Sequence, residues 1–187
     1  MRIVAIQTSP NTDGLTAATA TAVLAGAANE GAETELVHVR HMTLEACRAC
    51  GNGWGTCREK HHCVIDDDLE VVRQKIGTAD GLVISTPVYF GQISEIAKLF
   101  LDRLRRCEWA FEQSQVRGTP LIAIAAAGGS GGGVLSALAE IERYASHLGL
   151  PCADFITITR RSQPHKLPMM EEAGRTLVRV VRGEEPA

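Results

Sequence analysis

Four cysteines lie within seventeen residues of this chain, at Cys47, Cys50, Cys57 and Cys63. They are separated by two, six and five residues. Thiolates at this spacing could ligate a four-iron cluster, and four of them could equally hold zinc in tetrahedral geometry. Unliganded thiols are the third interpretation. The neighbouring His61 and His62 could add ligands, although histidines on loops are more often solvated.

The other two cysteines and the N-terminal residues indicate where the protein works. Cys107 and Cys152 lie in or beside predicted regular elements, where a thiol packs as a small apolar group. The first apolar run, residues 3–6, is too short for the core of a signal peptide, and no stretch reaches membrane-spanning length. We therefore expect a cytoplasmic protein whose thiols stay reduced.

Three loops follow predicted buried strands and have compositions suited to ligand binding. Residues 9–16 offer hydroxyls and free amides at the start of a helix, where phosphate binds well, although they could equally be a capping loop. Residues 86–91 include Tyr89 and Phe90, which could line a planar ring or pack in the core. Residues 128–133 are five glycines and one serine, which suits a loop that wraps a ligand.

Two familiar nucleotide motifs are excluded, and so is one class of partner. No lysine and hydroxyl residue follow the glycines of residues 128–133, so this loop is not a Walker A motif. The first strand is not followed by spaced glycines, as a dinucleotide-binding fingerprint requires. The formal net charge of -3 argues against the broad basic surface that binds nucleic acid.

Strands and helices alternate along the whole chain. Short apolar runs predict strands, and apolar residues at helical spacing predict helices. The predicted strands are residues 3–6, 33–39, 81–85, 120–126 and 153–159, and the predicted helices are residues 14–28, 66–76, 93–104, 134–148 and 167–181. The pattern predicts one α/β domain over residues 1–187, with a parallel five-stranded sheet covered by helices on both faces. Residues 46–65 form a Cys-rich insertion in it.

The loops together resemble the NAD(P)H-dependent FMN reductase and flavodoxin-like quinone reductase superfamily. The most specific part is residues 85–91, which are similar to the family's Pro-Val-Tyr-x-Gly loop. Lys98, Leu101, Asp102 and Arg103 are similar to the helix that follows it. The resemblance implies a flavodoxin-like three-layer sandwich that binds FMN. The implied FMN ligands are Ser9, Asn11, Gly14, Leu15 and Thr16 at the phosphate, Pro87, Val88, Tyr89, Phe90 and Gly91 at the isoalloxazine, and Ala127, Gly128, Gly129, Ser130 and Gly131 at its other edge.

The cysteine segment resembles one branch of this superfamily. Residues 47–68 are similar to the compact motif of iron-sulfur flavoproteins, with Cys57 displaced from its usual position. This resemblance implies a 4Fe-4S cluster held by the four cysteines. In the first loop, Asn11 and Leu15 stand where the family commonly has Arg and Asn.

The implied activity is that of an FMN-dependent oxidoreductase. It would take hydride from NAD(P)H and pass electrons to a quinone, a small acceptor or the cluster, with Tyr89 as the candidate catalytic residue at the flavin. The alternatives are a dehydrogenase of one metabolite, a pure electron carrier and a zinc-stabilised interaction domain, the last of which leaves the loops unexplained. The expected partners are small-molecule redox substrates and further copies of the chain in a homodimer or homotetramer, with neither nucleic acid nor membrane.

Overall fold

The computed structural model describes residues 1–109 and 111–186. The strands are β1 (Arg2–Gln7), β2 (Glu33–His38), β3 (Gly81–Tyr89), β4 (Gln92–Ile93), β5 (Leu121–Ala127) and β6 (Cys152–Thr159). The α-helices are α1 (Leu15–Asn29), α2 (Thr56–Glu59), α3 (Leu69–Gly77), α4 (Glu95–Cys107), α5 (Val134–Leu148) and α6 (Gln163–Val181). Two short 3₁₀ turns cover Val39–His41 and Phe111–Gln113.

Five strands form a parallel sheet in the order β2-β1-β3-β5-β6. The two-residue strand β4 adds to β3 as an antiparallel partner. Two separate apolar cores flank the sheet. Helices α3, α4 and α5 pack one core, with Phe100 and Ile141 fully buried, and α1 and α6 pack the other, with Val23 and Leu177 fully buried. The predicted three-layer sandwich is confirmed, and β4 is the only addition to the predicted strands among the described residues.

Helix α1 is fixed against α6 by backbone contact. A Cβ added to Gly26 would stand 1.8 Å from the carbonyl oxygen of Glu171, and one added to Gly174 would stand 2.0 Å from that of Val23. Only glycine allows the two helices to approach so closely. This packing fixes the C-terminal half of α1 against α6.

The largest differences from the predicted element boundaries are at the end of β3 and at the start of α6. Strand β3 continues through Pro87 to Tyr89, because its pairing with β1 ends at Ser85 and a proline is tolerated where one edge of a strand has no neighbour. Helix α6 begins at Gln163 and not at Leu167. Pro164 stands in its first turn, where the fixed φ of proline favours helix and the missing N–H is not needed.

None of the helices in the described part of the chain is long and apolar enough to cross a membrane.

Candidate functional site

The first loop is tied to the third strand and to the start of α4. The backbone N–H of Thr8 donates to the carbonyl oxygen of Ser85 at 3.0 Å, and its hydroxyl donates to the same oxygen at 3.2 Å. The hydroxyl of Ser94, which caps α4, donates to the carbonyl oxygen of Thr8 at 3.0 Å. Within the loop, the hydroxyl of Ser9 accepts the backbone N–H of Asn11 at 3.1 Å. These bonds fix the chain that leaves β1.

Helix α1 starts with unpaired amides. Its N-cap residue is Gly14, and no side chain among the described residues caps it. The first intrahelical bond runs from Ala18 to the Gly14 carbonyl, so the amides of Leu15 and Thr16 precede it. Thr16 is 4% exposed, and its carbonyl oxygen accepts the hydroxyls of Thr19 and Ser85. The helix start is a rigid set of N–H donors suited to a phosphate group.

The second loop exposes its aromatic side chains. Tyr89 is 40% exposed and Phe90 is fully exposed. The alternative that they pack in the core is therefore wrong. Phe90 adopts φ +51° and Gly91 φ +84°, and a left-handed conformation is strained for a bulky residue such as Phe90. Strain of this kind clusters at ligand-binding sites.

The third loop meets the second one through two glycines. Strand β5 ends at the buried Ala127, and Gly128 and Gly129 beyond it are exposed, with open space where a Cβ would stand. Gly133, the N-cap of α5, packs directly on the backbone of Gly91. The three loops therefore share one edge of the sheet, at the carboxyl ends of β1, β3 and β5, where ligands bind in open α/β sheets. Donors for a phosphate, exposed aromatics and an open glycine loop at this edge fit FMN.

The four cysteines of the 47–63 segment line one pocket. Cys47 is exposed, and Cys50, Cys57 and Cys63 are partly buried. The pocket has an empty volume of about 350 Å³, and Cys107, Arg103 and Arg106 of α4 complete it. A Cβ on Gly55 would stand 2.8 Å from that of Cys50, so Gly55, the N-cap residue of the short helix α2, must be small. We call this the cysteine pocket.

The arrangement of these thiols bears on which metal group they suit. Within residues 1–109 and 111–186, no three His, Cys, Asp or Glu side chains converge on one metal-ion position. Tetrahedral zinc, at about 2.3 Å from each sulfur, needs its sulfurs roughly 3.8 Å apart. In a four-iron cluster each thiolate binds a different iron, so the ligands surround a larger group. The four cysteines share one pocket, and four thiolates are a donor set that either group can use.

A buried ion pair joins the cysteine pocket to α4. The side chains of Arg103 and Asp67 are 1% and 2% exposed, and they form two hydrogen bonds, of 2.5 and 3.0 Å. Nη1 of Arg103 also donates to the carbonyl oxygen of Glu45 at 3.0 Å, and Nη2 donates to Sγ of Cys63 at 3.1 Å. The Nε of Arg103 is buried and has no partner among the described residues. This cation therefore fixes both ends of the cysteine segment.

The pKa values of this pair keep both groups charged. Burial by itself raises the pKa of Asp67, but hydrogen bonds from Arg103 and from the backbone N–H groups of Glu45 and Leu69 outweigh it, so the pKa lies below its ordinary value. Burial likewise opposes the charge of Arg103, but the bonds to Asp67 and Cys63 raise its pKa. The helix predicted over residues 66–76 begins at Leu69. Asp68 is the N-cap residue but makes no side-chain capping bond, and Asp67 binds the Leu69 amide and Arg103.

The sequence analysis missed the pairing of Arg103 with Asp67 and the place of Cys107 in the lining of the cysteine pocket. A signal was present, because Arg103 and Cys107 follow the buried Phe100 by three and seven residues and so lie on its apolar stripe. A cation at such a position needs a buried partner. Cys107 is buried, as predicted, and burial raises the pKa of its thiol to about 12.

Aromatic and basic side chains cover the outer side of the cysteine segment. Trp54 and Trp109 meet edge to face, with ring centroids 5.9 Å apart. The guanidinium of Arg106 lies 4.9 Å from the Trp54 ring centroid and donates to the Gly53 carbonyl oxygen.

The two histidines of the segment do not line the cysteine pocket. His61 stacks on Trp109 at 6.1 Å, with its Nδ1 3.3 Å from the carbonyl oxygen of Cys107. His62 faces Glu70 at 3.4 Å. Both therefore have partners away from the four thiols.

The fold and the three loops at one sheet edge define a flavodoxin-like α/β protein. A family model described as NADPH-dependent FMN reductase matches residues 1–153. The chain therefore belongs to the NADPH-dependent FMN reductase family, a family of oxidoreductases, as predicted from residues 85–91.

Two relatives and one solved structure are similar to this chain. An iron-sulfur flavoprotein of Methanocaldococcus jannaschii is 30% identical over 145 residues, which are 77% of this chain and 71% of that protein. An iron-sulfur flavoprotein of Methanosarcina thermophila is 36% identical over 94 residues, 49% of this chain and 47% of that protein. A flavone reductase matches in structure with a TM-score of 0.79 and 17% identity, over 100% of this chain and 65% of that chain. The last match supports the fold alone.

Proposed function

We propose that this chain is an FMN-dependent oxidoreductase that takes hydride from NAD(P)H and passes the electrons onward through a 4Fe-4S cluster or to a small acceptor. The observation that carries the proposal is the meeting of three ligand loops at the carboxyl edge of the sheet, within a chain of the NADPH-dependent FMN reductase family. A quinone is one candidate for the physiological electron acceptor.

The first loop would hold the FMN phosphate. The amides of Leu15 and Thr16 supply donors, and the dipole of α1 favours a negative charge at its start. The other proposed phosphate ligands are Ser9, Asn11 and Gly14. The hydroxyl of Ser9 already accepts the Asn11 amide, so its own hydrogen is free to donate to a phosphate oxygen.

The second and third loops would hold the ring. When bound, FMN would supply the redox chemistry, and the protein would orient the flavin ring and limit the access of water to it. Residues 87–91 would lie along the isoalloxazine, with the half-exposed Tyr89 as the residue closest to the chemistry, and residues 127–131 would cover its other edge. The open space at Gly128 and Gly129 supports this assignment, since no side chain of the described residues fills it.

The cysteine pocket would hold the cluster. Its ligands would be Cys47, Cys50, Cys57 and Cys63. The guanidinium of Arg106 in the lining would offset part of the negative charge of four thiolates, and the relatives named iron-sulfur flavoproteins support this part of the proposal. Cys107, a buried residue of α4, lines the same pocket and is not among the proposed ligands.

A second copy of the chain would complete the flavin site. Phe90 is fully exposed and Leu135, at the start of α5, is 74% exposed, beside the proposed site. Large apolar side chains left exposed near a ligand site favour burial against a partner. A homodimer or homotetramer, measured by light scattering, supports this step. A monomer at micromolar concentration contradicts it.

The test of the main proposal is a spectrum and a mixing experiment on protein purified without oxygen. We expect flavin bands with a broad iron-sulfur shoulder, release of FMN on denaturation, and iron and sulfide near four per chain, as four cysteine ligands imply. NADH or NADPH should bleach the flavin bands. Release of FAD or of no flavin contradicts the FMN assignment, whereas FMN without bleaching by either nucleotide favours an electron carrier or a metabolite dehydrogenase.

A further inference from the structure

The guanidinium of Arg103 makes more contacts than an ion pair needs. Its four Nη hydrogens go to the Asp67 carboxylate, the Glu45 carbonyl oxygen and the sulfur of Cys63. The fifth donor, Nε, is buried and has no acceptor among the described residues. Arg103 therefore directs one buried N–H group, on Nη2, at the sulfur of Cys63. A second buried N–H group, on Nε, has no acceptor among the described residues.

The charge of this donor matters for the sulfur it contacts. A neutral thiol is a weak acceptor, whereas a sulfur that carries negative charge accepts a stronger, charge-assisted bond. The buried guanidinium of Arg103, whose Nη2 lies 3.1 Å from Cys63 Sγ, therefore favours a negatively charged sulfur at Cys63. Asp67 holds the guanidinium in place and nearly cancels its net charge, so the directed N–H bond is the main interaction left to the sulfur.

We infer that Arg103, held by Asp67, is a positioning residue that donates an N–H to the Cys63 sulfur in the cluster-loaded protein and raises the reduction potential of the cluster. This inference rests on the proposed function, since it requires a cluster on the four cysteines. Hydrogen bonds to cluster sulfurs raise the potential because they offset the negative charge that increases on reduction.

Lysine cannot replace this arginine. A single ammonium nitrogen lacks the planar fork that reaches Asp67 and Cys63 at the same time. Arg103→Lys therefore keeps the charge and removes the sulfur bond. Arg106 is the matched control, because it lies one turn further along α4 and lines the same pocket. It contacts the Gly53 carbonyl oxygen and the Trp54 ring and donates to no sulfur of the described residues.

The experiment measures the midpoint potential of the cluster by anaerobic spectroelectrochemistry, with iron, sulfide and FMN per chain. For Arg103→Lys, we expect the ratio of reduced to oxidised cluster at a fixed potential to fall about tenfold, a shift of 59 mV for one electron. Arg106→Lys should shift the ratio much less, and FMN content should not change in either variant.

Asp67→Asn distinguishes this role from general loosening of the loop. The amide still accepts a bond from Arg103, but a negative charge beside the pocket is gone, so the potential should rise. Opposite signs for Arg103→Lys and Asp67→Asn are not expected from loosening alone. If Arg103→Lys fails to fold, Asp67→Asn decides, and an unchanged or lowered potential overturns the inference. A wild-type cluster with equal shifts in both lysine variants overturns only this inference, whereas wild-type protein without iron overturns the cluster proposal as well.

Discussion

Gly133 and Gly91 come from different loops, yet a Cβ added to Gly133 would stand 2.2 Å from the Cα of Gly91. Both residues adopt a positive φ, of +83° and +84°. The third loop can therefore approach the second only because Gly133 has no side chain, whereas a Cβ on Gly91 would stand 4.0 Å from the Cα of Gly133, an ordinary contact distance. This contact sets the distance between the two loops that are proposed to hold the flavin ring.

Replacing Gly133 by Ala should separate these two loops. The methyl group meets backbone, which cannot move aside as a flexible side chain can, and the positive φ adds strain. We expect the free energy of unfolding to fall by roughly 2–4 kcal/mol, from overpacking and strain together. Urea unfolding measures the loss, and flavin fluorescence titration should show weaker FMN binding.

Gly118→Ala is the matched control for Gly133→Ala. Gly118 has φ +84°, but nothing lies within 4 Å of its added Cβ. It should lose only the strain of the left-handed conformation, about 1–2 kcal/mol, and keep its FMN affinity. Equal losses for the two variants would show that the contact with Gly91 does not matter.

Replacing Thr16 by Val should weaken FMN binding by about 1 kcal/mol or more. A hydroxyl that donates to a phosphate oxygen forms a bond to a charged group, which is stronger than a neutral one. Thr21→Val, at an exposed position of the same helix, keeps the chemical change and lies outside the proposed site. Equal FMN affinities for the two variants, measured by calorimetry, would assign the phosphate to other residues.

Cys50→Ala should lower bound iron and sulfide together, because an iron that loses its thiolate becomes open to solvent. FMN should stay bound. Cys107→Ala is the control, since this thiol lines the same pocket but lies in α4, outside the four proposed ligands. It should lose packing energy and retain the metal. Zinc in place of iron on elemental analysis, or no metal at all in anaerobic protein, would contradict the cluster assignment.

Glu35 should make the stability depend on pH in the acid range. Its contact with Lys75 lowers its pKa most; burial opposes this, and Arg2 adds to the lowering. A folded-state pKa below the ordinary 4.5 gives stability that is present above that pH and is lost as the pH falls through the folded value. Glu35→Gln should lower the free energy of unfolding by about 1 kcal/mol at pH 7.

The difference between wild type and Glu35→Gln should shrink between pH 7 and pH 3, as the pH falls below the ordinary 4.5 and towards the lowered folded-state pKa. Glu33→Gln, at an exposed position of the same strand, should show little effect at either pH. Urea unfolding at the two pH values measures both. A Glu35→Gln loss that stays constant with pH would mean that the ion pairs with Arg2 and Lys75 contribute nothing.

The sequence was sufficient to predict the layered fold, because buried parallel strands are short continuous apolar runs. It also predicted that residues 9–16, 86–91 and 128–133 follow strand ends. It could not predict that Gly91 touches Gly133, since that depends on how two loops far apart in sequence fold against each other. The contact between Arg103 and Cys63 joins residues forty positions apart, and local spacing carries no information about it.

Trp54 and Trp109 are the two tryptophans of the chain, and Trp109, just after α4, packs against Trp54 of the cysteine segment. Tryptophan emission therefore comes from one small region of the protein, while the sheet and the helices α1 and α6 contribute none of it. A melting curve recorded by tryptophan fluorescence follows the detachment of that segment, and circular dichroism follows the sheet and helices. The two curves coincide only if the segment and the domain unfold together. Their separation would measure how independently the cysteine segment can open on an intact α/β domain.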